Sequence, residues 1–263
     1  MTLAPTENLL LNYAENFAGY GNLRAPVWFV GIEESGGRSF EEIKTRLNLW
    51  DSHGKPSCDD LLNVYRRLGN QTSSRVLQPT WRQLIRLHLH FASGRRALSE
   101  EDILKCQQKA LGTRSGQTCL LELFPLPCPN HGVWNYGNWF KADWLQSRAA
   151  YKSRIEILRS SLLRRLISEH RPRVVLFYFS SYRQTRERIG SAPSFGFTDL
   201  LGGQLTTWHD PETGTTFYSS WHPAYCRDGH RWSQGNIDDY FARIANQVLR
   251  DHPDLRTDGA ASV

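Results

Sequence analysis

Val27-Trp28-Phe29-Val30-Gly31-Ile32-Glu33-Glu34-Ser35-Gly36-Gly37 decides the reading of this chain. Pro26 opens it, four apolar residues follow, and Gly31 stops the apolar run. A short continuous apolar run bounded by proline and glycine predicts a buried strand followed by a loop. Two acids come directly after the glycine. Two more runs repeat the theme. Cys119 to Phe124 is apolar apart from Glu122, and Pro125, Pro127 and Pro129 are expected to end it. Arg173-Val174-Val175-Leu176-Phe177-Tyr178-Phe179 is the third buried strand.

Helical patterns fill the spaces between these runs. Residues 7–18, 39–49, 59–68, 79–92 and 99–111 read as helices. Trp81, Leu84, Ile85, Leu87 and Leu89 recur at near-helical spacing, and Ser99 with Asp102 forms a capping start. Residues 143–169 predict one long helix with arginines outside and Leu158, Leu162 and Leu166 inside. Residues 181–189 and 236–250 predict two more. Leu205–Trp208 and Thr215–Ser219 flank the turn Asp210-Pro211-Glu212-Thr213-Gly214, a hairpin signature. Buried strands alternating with helices predict an α/β fold: a three-layer α/β/α sandwich on a mainly parallel sheet. One domain is expected over 1–250, with a polar tail over 251–263.

Composition bounds the function. The chain has 263 residues, 40% hydrophobic and 22% charged, which excludes a disordered or fibrous protein. No run reaches the roughly 18 apolar residues of a membrane span. Met1–Glu7 lacks the basic and apolar regions of a secretory leader, so a cytoplasmic protein without membrane contact is expected. The net charge is +6, and arginines far outnumber the lysines. That excess suits a polyanion without requiring one. Five cysteines form no CxxC pair, which argues for reduced thiols and against clustered metal ligands. No metal and no cofactor is expected. Phosphate-binding glycine motifs and the serine-hydrolase elbow are also absent.

Three strand ends carry the chemistry: Gly31 to Gly37, Leu120 to Pro125, and Ser219-Ser220-Trp221-His222-Pro223-Ala224-Tyr225-Cys226-Arg227. Acids at two strand ends and a histidine at a third form the usual layout of an α/β active site. Gly31-Ile32-Glu33 and His222-Pro223-Ala224, in this order and context, resemble the two motifs of the uracil-DNA glycosylase superfamily. Arg227 resembles the arginine that often follows the second motif. The resemblance spans about residues 25–248. The sequence departs from the pattern at Glu34, where the family has proline, and at Ala224, where it has serine. The four cluster-binding cysteines of some branches are missing. Glu122 falls near the family's base-reading asparagine.

The resemblance implies a monofunctional, monomeric DNA glycosylase acting on a duplex with a flipped base. Glu33 would stabilise the sugar cation and position water, with Glu34 in reserve, and His222 would hydrogen-bond the leaving base. Glu122 would read the base. An ionised carboxylate only accepts hydrogen bonds, so this residue would favour an exocyclic amino group such as cytosine N4. Phe40 or Trp50 would stack on the base, and Asn130 opens an aromatic- and amide-rich segment running to Phe140 that would line a pocket. Tyr225, Arg227 and Ser220 would contact DNA. Two roles compete: repair of uracil or another deaminated base, and restriction of foreign DNA carrying modified cytosine, as in prokaryotic antiviral members. A modified-DNA-binding module without catalysis and a small-molecule hydrolase are the other readings. With an ionised Glu122, duplexes containing modified cytosine release their base and uracil duplexes do not; chromatography of the released base decides.

Overall fold

The apolar run at Val27 lies at the centre of a mixed sheet. The computed structural model describes residues 5–69, 76–93, 98–130, 132–191, 196–200, 203–224 and 234–256. Its elements, in chain order, are α1 (Pro5–Asn16), β1 (Gly19–Gly21), β2 (Val27–Ser35), α2 (Phe40–Ser52), β3 (Cys58–Asp59), α3 (Leu61–Arg67), α4 (Pro79–Ser93) and α5 (Glu100–Lys109). They continue with β4 (Thr118–Cys128), α6 (Tyr136–Trp139), α7 (Arg148–His170), β5 (Val174–Phe177), α8 (Arg183–Gly190), β6 (Gly196–Leu200), β7 (Gly203–Asp210), β8 (Thr215–Ser219) and α9 (Gln234–Asp251).

Among the described residues the sheet has eight strands in the order β3-β1-β4-β2-β5-β8-β7-β6. The central strands β4, β2, β5 and β8 run parallel. β1 pairs antiparallel with β4, and β7 pairs antiparallel with β8 and β6. The fold is therefore α/β on a mixed sheet: the pairings at its centre and along the β1–β3 margin are parallel, as expected of a mainly parallel sheet, and the remaining three are antiparallel. Parallel strands covered on both faces read as unbroken apolar runs, and the first four residues of β2 and all of β5 do.

Several local expectations need correction. β4 does not stop at Pro125; it continues through Pro127 to Cys128. Proline cannot donate to a ladder, so it is tolerated where one side of a strand is unpaired. β1 reaches only to the Gly19↔Leu121 pair, which leaves the prolines on a stretch of β4 paired only with β2. The long helix begins at Arg148, after the N-cap Ser147 and a short 3-10 turn at Asp143–Leu145. Leu158 faces solvent at 45% exposure, while Tyr151, Ile155, Leu162, Leu163, Leu166 and Ile167 form the inner face. β1, β3 and β6 went unread in the sequence because two are very short and the third has no apolar run. The polar tail does not start at Asp251. Asp251 accepts from the Tyr218 hydroxyl at 2.6 Å, and His252 and Leu255 are buried; residues 257–263 lie outside the described residues.

Loop geometry after β2 is set by a cap. Ser39 caps α2 by accepting from the Glu42 amide at 3.2 Å, and the Glu42 carboxylate accepts from the amides of Gly37 and Arg38. Gly37 has φ +66°, and a Cβ there would overlap the Pro127 carbonyl, so the turn requires glycine.

Arg159 fastens α7 to the sheet. It is fully buried and donates to the carbonyls of Glu122 (2.8 Å), Leu123 (3.0 Å) and Glu15 (3.3 Å). Arg159→Leu leaves three carbonyls without this partner. We expect it to lower unfolding free energy by about 3 kcal/mol, read as a lower urea midpoint with an unchanged slope.

Candidate functional site

Register assembles the site. Gly31 on β2 is opposite Glu122 on β4, Val30 is opposite Phe177 on β5, and Phe177 is opposite Ser219 on β8. The same ladder continues one step, with the Tyr178 amide bonded to the Val30 carbonyl and the Ser220 amide bonded to the Phe177 carbonyl. Glu122, Gly31, Tyr178 and Ser220 thus form one row across the C-terminal ends of the parallel strands, where ligands bind in open α/β sheets.

Gly31 lets the row close. Without a side chain between them, Glu122 and Tyr178 meet, and the Tyr178 hydroxyl donates to Glu122 Oε1 at 3.1 Å. A Cβ at Gly31 would overlap both the hydroxyl and Glu122 Oε2. Oε2 is buried and has no hydrogen-bond partner among the described residues. Burial, and then the charges of Glu34 and Glu33, push the Glu122 carboxyl well above the usual carboxylate range. Burial and then Glu122 likewise push Tyr178 well above the ordinary phenol range, so its proton stays on. The His222 ring lies 5.9 Å from the Tyr178 ring, tilted by 59°. His222 Nδ1 accepts from the Ala224 amide at 3.1 Å, which assigns the ring hydrogen to Nε2 in the neutral form.

The two adjacent acids of β2 have separate holders. Glu33 has a side chain only 7% exposed, with Lys152 Nζ at 3.2 Å and Arg148 at 3.7 Å, both from the first turns of α7. Lys152 Nζ also lies 4.8 Å from the Phe124 ring centroid and 5.3 Å from that of Tyr182. Glu34 is buried and accepts from Arg46 at 2.9 Å, Tyr65 at 2.7 Å and Tyr20 at 3.1 Å. Burial works against the Arg46 charge, but Glu34 together with Tyr20, Tyr13 and Tyr65 outweighs it and holds the guanidinium well above its ordinary value. Glu34 therefore anchors β2 to α2, α3 and β1, a structural duty that argues against its reserve role as water-positioning acid.

The remaining candidates divide. Trp50 belongs to the core: it is 2% exposed, its indole donates to the Pro56 carbonyl at 2.9 Å, and it meets Tyr13 edge-on. That packing removes it as a base stacker. Phe40 is half-buried against Trp139 and Phe140. Asn130 is exposed, and its side chain accepts from the Gly132 amide while its carbonyl accepts from Arg148. Ser220 is buried, with its hydroxyl on the Trp221 carbonyl at 3.1 Å, so it offers no DNA-facing surface. Tyr225 and Arg227 lie outside the described residues. Tyr178, Tyr65, Tyr20, Arg46, Arg148 and Lys152 were missed. Only Tyr178 left a trace in the sequence, as the first polar group after the Val174–Phe177 run.

No group of three or more ligating side chains suited to a metal ion occurs among the described residues, and no helix there is long and apolar enough to cross a membrane. Comparison with known proteins finds no matching family model, no matching curated protein and no matching solved structure.

Gly31→Ala tests the row directly. The added methyl must displace Tyr178 or Glu122, and overpacking of this kind destabilises by about 1–3 kcal/mol. Thermal unfolding reads that loss, and loss of the site's ligand affinity should accompany it.

Proposed function

We propose that this protein is a DNA glycosylase, a divergent relative of the uracil-DNA glycosylase superfamily, that removes a flipped base by hydrolysing its N-glycosidic bond. The observation that carries the reading is the convergence of Glu33, Glu122 with Tyr178, and His222 at the ends of adjacent parallel strands. Support also comes from the positive side chains around recessed acids: Lys152 and Arg148 flank Glu33 and are each 16% exposed.

The reaction divides naturally among these groups. The bond between C1′ and the base nitrogen breaks, and its electron pair leaves with the base. Positive charge builds on the sugar, opposite the Glu33 carboxylate. A water oxygen then bonds to C1′, and the proton it loses passes by way of solvent to the departed base anion, giving a sugar hydroxyl and a neutral base. His222 Nε2–H donates to the leaving base, where negative charge develops. Glu122 and Tyr178 hold the base edge. A modified cytosine of foreign DNA is the preferred substrate, because the motifs at the ends of β2 and β8 are altered at Glu34 and Ala224; uracil repair is the alternative.

A second reading has its own observation. Glu33 and Glu34 both hold partners already, as in a module that binds an unusual base without cutting it. Abasic-site formation separates the two. Incubated with genomic DNAs of different base modification, the wild-type protein should release one base and leave aldehyde-reactive sites. Glu33→Ala and His222→Ala should each slow release at least about 100-fold. Undiminished release in both variants would overturn the site, and tight binding with no abasic sites would establish the binding module.

A further inference from the structure

The unpartnered oxygen of Glu122 has a consequence for what the site reads. Oε1 takes the Tyr178 hydroxyl, while Oε2 is buried and has no hydrogen-bond partner among the described residues. A buried carboxylate is normally stabilised by several donors or by a cation. Glu122 has one donor, a neutral phenol. The charged groups around it are mostly of the wrong sign. Glu33 and Glu34 face it from β2, and Tyr65 approaches from α3 as a neutral hydroxyl. His222 stands beyond Tyr178. The nearby cation from α7, Arg159, spends its hydrogen bonds on the carbonyls of Glu122, Leu123 and Glu15 rather than on the carboxyl. Arg46, Arg148 and Lys152 are engaged by Glu34 and Glu33.

We propose that Glu122 works as a neutral carboxylic acid whose Oε2–H donates to a nucleobase, on an edge where an acceptor sits beside an N–H. This inference rests on the glycosylase reading and deepens it. In this form Oε1 keeps a second lone pair for the N–H of the base, so the acid presents one donor and one acceptor, as an amide does. Cytosine fits through N3 and N4–H, and uracil through O4 and N3–H. The selection for amino groups expected of an ionised Glu122 disappears. Selection between cytosine and uracil passes to other parts of the pocket.

The sign of the pH effect follows. The carboxyl binds its proton more tightly in the folded protein than in the unfolded chain. Its contribution to stability is complete below the unfolded value and is lost as pH rises toward the folded one. Glu122→Gln keeps the shape and cannot ionise. Its melting temperature should exceed that of wild type at pH 8, and the gap should shrink toward pH 5. A constant or reversed gap would overturn the neutral acid, whatever the enzyme does.

Free cytosine and free uracil, titrated calorimetrically as probes, test the donor role. Wild type and Glu122→Gln should bind one of them comparably at pH 6, and Glu122→Leu should bind it at least about tenfold more weakly. Equal binding by the Leu variant, or no binding of either base by wild type, would overturn the donor role. Absence of base release from DNA with both arms intact would count against the glycosylase reading alone.

Discussion

The contact between Glu122 and Tyr178 across Gly31 is the constraint on which the rest of the site depends. Two polar groups meet inside an apolar sheet because the residue between them has no side chain. The sheet register makes the meeting obligatory. Val30, Phe177 and Ser219 fix three neighbouring strands at one level, and the next step on β2 and β5 brings Gly31 and Tyr178 into the candidate site. Shifting any of these strands by one residue would turn its side chains to the opposite face. The hydrophobic core and the candidate site are thus set by the same pairing. Val27 to Val30 and Val174 to Phe177 are all buried, and burying them in register leaves Gly31 and Tyr178 at the rim.

Charge is arranged around that contact with a division of labour. Arg46 and two tyrosines tie Glu34 to the outer elements. The start of α7 holds Glu33 with Arg148 and Lys152. Removing one member of a buried ion pair such as Arg46–Glu34 strands the other, a loss of several kcal/mol. Glu122 is different, since no cation is committed to its carboxyl. Three acids close in sequence or register therefore occupy three distinct electrostatic settings: among the described residues, Glu33 Oε1 has an ion-pair partner in Lys152 but no hydrogen bond, whereas Glu122 Oε2 has neither.

The sequence made the centre of the fold legible and its margins obscure. The runs at Val27, Cys119 and Val174 have the length and composition of buried strands, and each is one. Glycine, acid and histidine at their ends marked the positions that register brings together. Chemistry that depends on distant partners was not readable. Nothing about Arg46 or Tyr65 in its own helix says that it reaches Glu34, and Lys152 resembles any basic residue near a helix start. Trp50 misled because an aromatic at helical spacing is written the same way whether it packs inward or lines a pocket. Leu158 misled because three leucines at i, i+4 and i+8 share a face only approximately. The proline reading failed because the sequence does not state which side of β4 is paired.

The one-sided stretch of β4 also shows how a buried strand ends its ladder without stranding its amides. Pro125 and Pro127 carry no amide hydrogen, and the Leu126 amide is bonded to the Tyr151 hydroxyl at 3.1 Å. The stretch is buried along its length, so it is covered by the rest of the fold rather than by a further strand. Its two prolines and the Tyr151 hydroxyl together remove the need for a second ladder there.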